Sequence, residues 1–194
     1  MLNTHTKKLS TMTAGTALAM LISGSSFAAD YKIDLAHTFI HFEISHLGYS
    51  TLVGRFSDFE GDFKWDKSNP ASAALEVTVK TASIDSNWAE RDKHIRGDEF
   101  LDVEKFPTAV FKATKYDGDA SGGKMEGTLT LHGITKPITL DVEYIGEGDD
   151  PWGGYRAGFA ASTTLNRGDF GISYDLGPAS GSMEFKLFVE GIRQ

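Results

Sequence analysis

Apolar and polar residues alternate most clearly between His37 and Trp65. Ile40, Phe42 and Ile44 fall on one face of an extended segment, and Phe39, His41, Glu43 and Ser45 fall on the other. Phe59, Gly61, Phe63 and Trp65 alternate in the same way with Glu60, Asp62 and Lys64. These segments predict two strands sharing one strongly apolar face, with Gly48 and Gly54 available to bend the connection.

The same period of two returns along the chain. Leu75, Val77 and Val79 alternate with Glu76, Thr78 and Lys80, and Ala109, Phe111 and Ala113 with Val110 and Lys112. Met125, Gly127, Leu129 and Leu131 lead through a tight connection, His132 to Pro137, into Ile138, Leu140, Val142 and Tyr144. Tyr155, Ala157, Phe159 and Ala161 form a further set, and Met183, Phe185, Leu187 and Val189 close the chain. Residues 117–123 and 146–154 read as loops by composition, and 166–174 as irregular. Trp88 to Gly97 is too charged for a half-buried strand. Its pairs Glu90/His94 and Asp92/Arg96, one helical turn apart, predict a short exposed helix.

The pattern amounts to about eight strands and one or two short helices, an all-β antiparallel domain. A sandwich and a barrel both satisfy the periodicity. The wide apolar face on nearly every strand favours a barrel, because it suffices to line an interior.

Composition changes this picture at the N-terminus. Lys7 and Lys8, the uncharged run from Met12 to Ile22 and the small residues flanking Phe27 have the layout of a cleavable secretory signal over residues 1–28. The run is too short for a comfortable membrane span. Residues 29–194 then form one secreted domain. The formal charge of −8 becomes −10 when Lys7 and Lys8 leave, since no acid leaves with them. Such a chain has little with which to neutralise phosphates, so nucleic acid is excluded as a partner. There is no cysteine, which excludes disulfides and thiolate metal sites. The core alone must hold the fold.

Candidate chemistry is sparse. His37 and His41 share a strand face but stand roughly 13 Å apart, too far for one metal ion. No spaced ligand motif unites His41, His46, His94 and His132. No Gly-x-Ser-x-Gly elbow arms a nucleophile, and the acids near Asp149, Asp150 and Asp175 lack calcium-loop spacing. No catalytic or metal residues are therefore assigned. Within the charged helix, Arg91, His94 and Arg96 are placed to meet a polar ligand head at a barrel mouth. The many aromatic residues fit either a filled core or a ligand-holding interior. Small residues at inward positions, Gly61, Ala109, Ala113, Gly127, Ala157 and Ala161, favour room for a chain-like guest.

Several segments, in this order, resemble the YceI family of periplasmic lipid-binding proteins. They are ADYKID (29–34), ISHLGYS (44–50), AERDKHIRGDEFLD (89–102), TLTLHGITKPITL (128–140), GDDPWGGYRAGF (148–159) and DLGPAS (175–180). The resemblance spans essentially all of residues 29–194. It implies a lipocalin-like eight-stranded barrel that holds a polyisoprenoid, a quinone-type lipid or a fatty amide, without enzymatic activity or a required cofactor. Transferred by strand parity, it implies a lining of Phe42, Phe63, Trp65, Phe111, Leu129, Leu140 and Phe159. The alternative is a stress-response or interaction module with a filled core. An exposed edge strand would allow a homodimer. A membrane donor or acceptor for the lipid has no sequence signature.

Overall fold

The computed structural model describes Met1 and residues 28–194 of the chain. The expected secretory signal, but for Met1 and Ala28, lies outside these residues. Eleven strands are described: β1 (Ala29–Ile33), β2 (Phe39–His46), β3 (Ser50–Phe56), β4 (Phe59–Trp65), β5 (Ala74–Lys80), β6 (Ile84–Asp85), β7 (Thr108–Asp119), β8 (Gly122–Leu131), β9 (Ile134–Asp149), β10 (Tyr155–Asn166) and β11 (Ser182–Arg193). One α-helix, α1 (Ala89–Arg96), follows β6. Four single turns of 3-10 helix complete the described elements.

Eight of these strands close an antiparallel circuit in the order β1-β4-β5-β7-β8-β9-β10-β11, with β11 pairing back to β1. This is the barrel that the alternation predicts. The other three extend from β11 in the order β2-β3-β6. They attach because β11 is long enough to pair twice along one edge. Its Gly191–Arg193 end faces β1, and its Met183–Phe188 stretch faces β2.

The chain crosses from β1 to β2 through a turn pinned to β11. Asp34 N–H donates to the Glu190 carbonyl at 2.8 Å, and the buried Thr38 hydroxyl exchanges hydrogen bonds with the Glu190 backbone at 3.2 and 3.1 Å. The barrel wall is thus β1 and β4 at one end. At the other it is widened by the β2–β3 hairpin and by α1.

Three strands escape the sequence pattern. β1 lies beside the expected signal boundary, and β6 has only two residues. β3 was expected to be a bend because of Gly54, yet that glycine is in the middle of the strand, opposite Phe42. A Cβ on Gly54 would lie 2.3 Å from Phe42 Cζ, so the missing side chain makes room for the ring. The expected loops are also shorter. β7 and β8 pair as far as Asp119 and Gly122, and β9 runs through Gly146 to Asp149, because these glycines extend strands rather than end them.

Helix α1 forms where its charge spacing predicts. Glu90 and Asp92 are in the first turn and Lys93, His94 and Arg96 in the last, the polarity that its dipole favours. It is not wholly exposed. Asp92 is buried and accepts from the backbone N–H and the hydroxyl of Ser86, which tie the helix to β6.

Candidate functional site

Each long strand of the barrel passes through two different interiors. Toward α1 and the β2–β3 hairpin the barrel encloses a cavity of about 470 Å³. Toward the opposite end it is filled by interlocked aromatic rings. In β4, Phe59 lines the cavity whereas Phe63 and Trp65 join the rings. In β9, Ile138 and Leu140 line the cavity and Tyr144 joins the rings; in β10, Leu165 and Phe159 divide in the same way.

The aromatic plug is closely packed. Tyr31 stacks on Phe63 at 4.8 Å, Phe63 meets Phe159 edge-on at 5.6 Å, and Phe159 meets Trp65 edge-on at 5.1 Å. Tyr144 stacks on Trp65 at 5.8 Å and also meets Phe159 at 5.7 Å. Trp65 is only 4% exposed. Offset and edge-on rings of this kind add to the stabilisation that their buried area already provides.

The sequence-derived lining divides along this boundary. Phe42, Phe111, Leu129 and Leu140 stand on the cavity wall. Phe63, Trp65 and Phe159, expected beside them, lie in the plug instead. Alternation fixes which side of the sheet a residue faces, but not how far along the barrel axis it stands. The small inward residues also act differently from expectation. A Cβ on Gly127 would meet Phe111 Cζ at 2.5 Å, and Ala157 is 1% exposed within the packed core. Their space is taken by the protein's own rings, while Ala109 does face the cavity.

The wall is almost entirely aliphatic and aromatic, with Leu75, Val77, Val79, Leu131, Leu187 and Val189 among its members. Its polar members are Thr38 and Thr163, each bonded to backbone, and a group comprising Ser45, His46, Arg91, His94, Arg167, Tyr174 and Ser180. Arg91 Nε donates to Ser86 Oγ at 2.7 Å, and its Nη2 donates to the Ser86 carbonyl. Arg167 donates from Nε to the Ser180 carbonyl at 2.9 Å and from Nη1 to the Ile172 carbonyl at 3.2 Å. Ser180 in turn donates to the Ser45 carbonyl at 2.7 Å, linking this loop to β2.

Of the three expected head-group residues, Arg91 and His94 reach the wall and Arg96 does not. Residues 91, 94 and 95 share one helix face by their spacing. Arg96 turns off that face and donates to the Ala82 and Ile84 carbonyls at 2.7 and 2.6 Å, bracing the segment before α1. His94 Nε2 is 2.7 Å from Glu99 Oε2, and its ring lies edge-on to Phe100 and Tyr174. Arg167 was not singled out from sequence. It sits in a 3-10 turn (Arg167–Phe170) whose sequence has no period to mark it.

A second polar cluster lies at the β1–β2 turn. Asp34, His37 and Glu190 bring potential ligand atoms within 4.8 Å of one another. Arg156 is already seated among the acids, with Nη1 at 2.6 Å from Asp34 and Nε at 2.8 Å from Asp150. It also donates to Glu190. The hydrogen bonds from His37 and Arg156 hold the Asp34 carboxyl down at about 2. The cluster is an ion network that closes the barrel seam rather than a vacant ligand set.

A family model described as YceI-like domain matches residues 31–190. A UPF0312 protein of Pseudomonas aeruginosa (strain LESB58) is 53% identical over 190 residues, covering 97% of this chain and 98% of the relative. The solved structure of the Campylobacter jejuni YCEI protein is 28% identical with a TM-score of 0.70, over 94% of this chain and 99% of that one. A polyisoprenoid binding domain from Saccharophagus degradans has a TM-score of 0.62 at 15% identity, over 87% of this chain and 100% of that one. At that identity the likeness is one of fold.

Proposed function

The chain belongs to the YceI-like domain family, a family of binding proteins without known catalysis, and from that premise we propose that it carries a long-chain amphiphilic lipid in the cavity. The guest class is a polyisoprenoid or a related single-chain amphiphile such as a quinone-type lipid. The structural relative described as a polyisoprenoid binding domain supports this class. The observation that carries the reading is the cavity of about 470 Å³ inside a wall of aliphatic side chains.

Its size bounds the guest. It lies within the roughly 300–1,000 Å³ of small-ligand pockets, and a chain of about 16 carbons illustrates the energy available. Burial contributes about 0.8 kcal/mol per methylene, on the order of 13 kcal/mol gross for such a chain before ordering costs. No covalent chemistry is needed to retain it. The layout of residues 1–28 supports a periplasmic location, where a lipid crossing water requires an apolar shelter.

The test is intact-mass spectrometry of the mature protein, purified without detergent from a periplasmic extract under conditions that preserve non-covalent guests. The expected result is a discrete added mass that solvent extraction removes. A bare mass that stays bare after prenyl lipids and fatty acids are added back overturns the proposal.

A further inference from the structure

The chain has 27 acidic residues against 19 lysines and arginines, yet among the described residues no Asp or Glu lines the cavity. Two arginines do, Arg91 and Arg167. Among the described residues, neither is paired with a carboxylate; their acceptors are hydroxyl and carbonyl oxygens. Arg156, at the barrel seam, shows the contrast, since it is surrounded by Asp34, Asp150 and Glu190.

Both wall arginines are fixed by neutral oxygens. Arg91 spends Nε and Nη2 on Ser86, and Arg167 spends Nε and Nη1 on the Ser180 and Ile172 carbonyls. This orients each guanidinium plane and leaves one terminal nitrogen of each without a protein acceptor among the described residues. Arg91 receives compensation only indirectly, through the Ser86 hydroxyl that bonds to Asp92. His94, beside it, is already paired with Glu99. A part-buried guanidinium without a counter-ion is costly, and its fork geometry matches the oxygens of carboxylates and phosphates.

Resting on the lipid-carrier reading, we infer that the cavity selects an amphiphile with an anionic head, a carboxylate or phosphate held by Arg91 and Arg167. The apolar wall takes the tail and the two guanidinium groups neutralise the head. Neutral lipids of the same length fill the same space without using the charges.

The delipidated mature protein is titrated calorimetrically with hexadecanoate, hexadecyl phosphate and hexadecan-1-ol below their aggregation concentrations. The expected result is that at least one anion binds roughly 10-fold or more tightly than the alcohol, as charge-assisted hydrogen bonds imply. The stronger of the two anions identifies the head. Arg91→Gln and Arg167→Gln each reduce the anion-to-alcohol ratio. Arg193→Gln, which removes an exposed charge near Tyr155, leaves the ratio intact. Equal affinity for anions and alcohol in the unaltered protein overturns the inference and leaves the carrier reading standing. Absence of binding by all three overturns the inference, and the mass measurement with added prenyl lipids then decides the carrier reading. The comparison of heads on the unaltered chain does not depend on any variant folding.

Discussion

Gly191 and Phe63 occupy one space: a Cβ on Gly191 would lie 2.3 Å from Phe63 Cε1 and 2.4 Å from its Cζ. Phe63 cannot readily yield, because its ring is stacked on Tyr31 and meets Phe159 edge-on. The glycine in β11 is therefore what lets the plug close against the seam between β1 and β11.

Gly191→Ala should destabilise the fold by about 1–3 kcal/mol, the usual cost of forcing a packed side chain aside. A chaotrope titration followed by the far-ultraviolet signal measures it. A midpoint equal to that of the unaltered protein would show that the ring has somewhere else to go.

The plug sets the length of the guest. Phe159→Leu removes part of the ring that meets both Phe63 and Trp65, about one methylene's volume, and should shift the preferred chain toward longer guests by about one carbon. Stability should fall by about 1–2 kcal/mol through the cavity left behind. Competition among a ladder of chain lengths, read by native mass spectrometry, is the measurement. An unchanged optimum would mean that the tail never reaches the plug.

A charge on the wall should abolish tail binding. Leu129→Glu puts a carboxylate into the apolar cavity without entering the plug, and should weaken retention of a sixteen-carbon guest by at least about 10-fold. The same titration on a folded variant, with circular dichroism as control, checks this. Undiminished binding would remove Leu129 from the lining.

Acid should loosen the β1–β2 turn where it is pinned to β11. The folded Asp34 carboxyl, at about 2, lies below its ordinary value of 3.8, so its contribution is fully present above pH 3.8 and is lost as the pH falls toward 2. The amount is at most about 2 kcal/mol. Asp34→Asn should lower stability at neutral pH and flatten the decline between pH 4 and 2. Parallel stability curves for the two proteins would exclude Asp34 as the titrating group.

The alternation of side chains established much of this molecule without coordinates. A period of two on nearly every segment fixes antiparallel strands and their inward faces, because successive side chains must point to opposite sides of a sheet. That suffices to name Phe42, Phe111, Leu129 and Leu140 as inward residues, and charge spacing suffices to place α1. Glycine weakened the same pattern. Gly54 reads as a bend and Gly127 as room for a guest, yet these two and Gly191 each lie opposite or beside an aromatic ring whose volume they accommodate.

What tertiary structure decided is position along the barrel axis. Phe63, Trp65 and Phe159 share the inward parity of Phe42 and Leu140, but strand stagger sets them in the plug rather than on the cavity wall. The presence of Arg91 and Arg167 on one cavity wall is of the same kind, since one comes from α1 and the other from a turn after β10. Periodicity is a property of neighbours along the chain. Register, closure and the division of the interior depend on contacts between residues far apart in sequence, which no local pattern records.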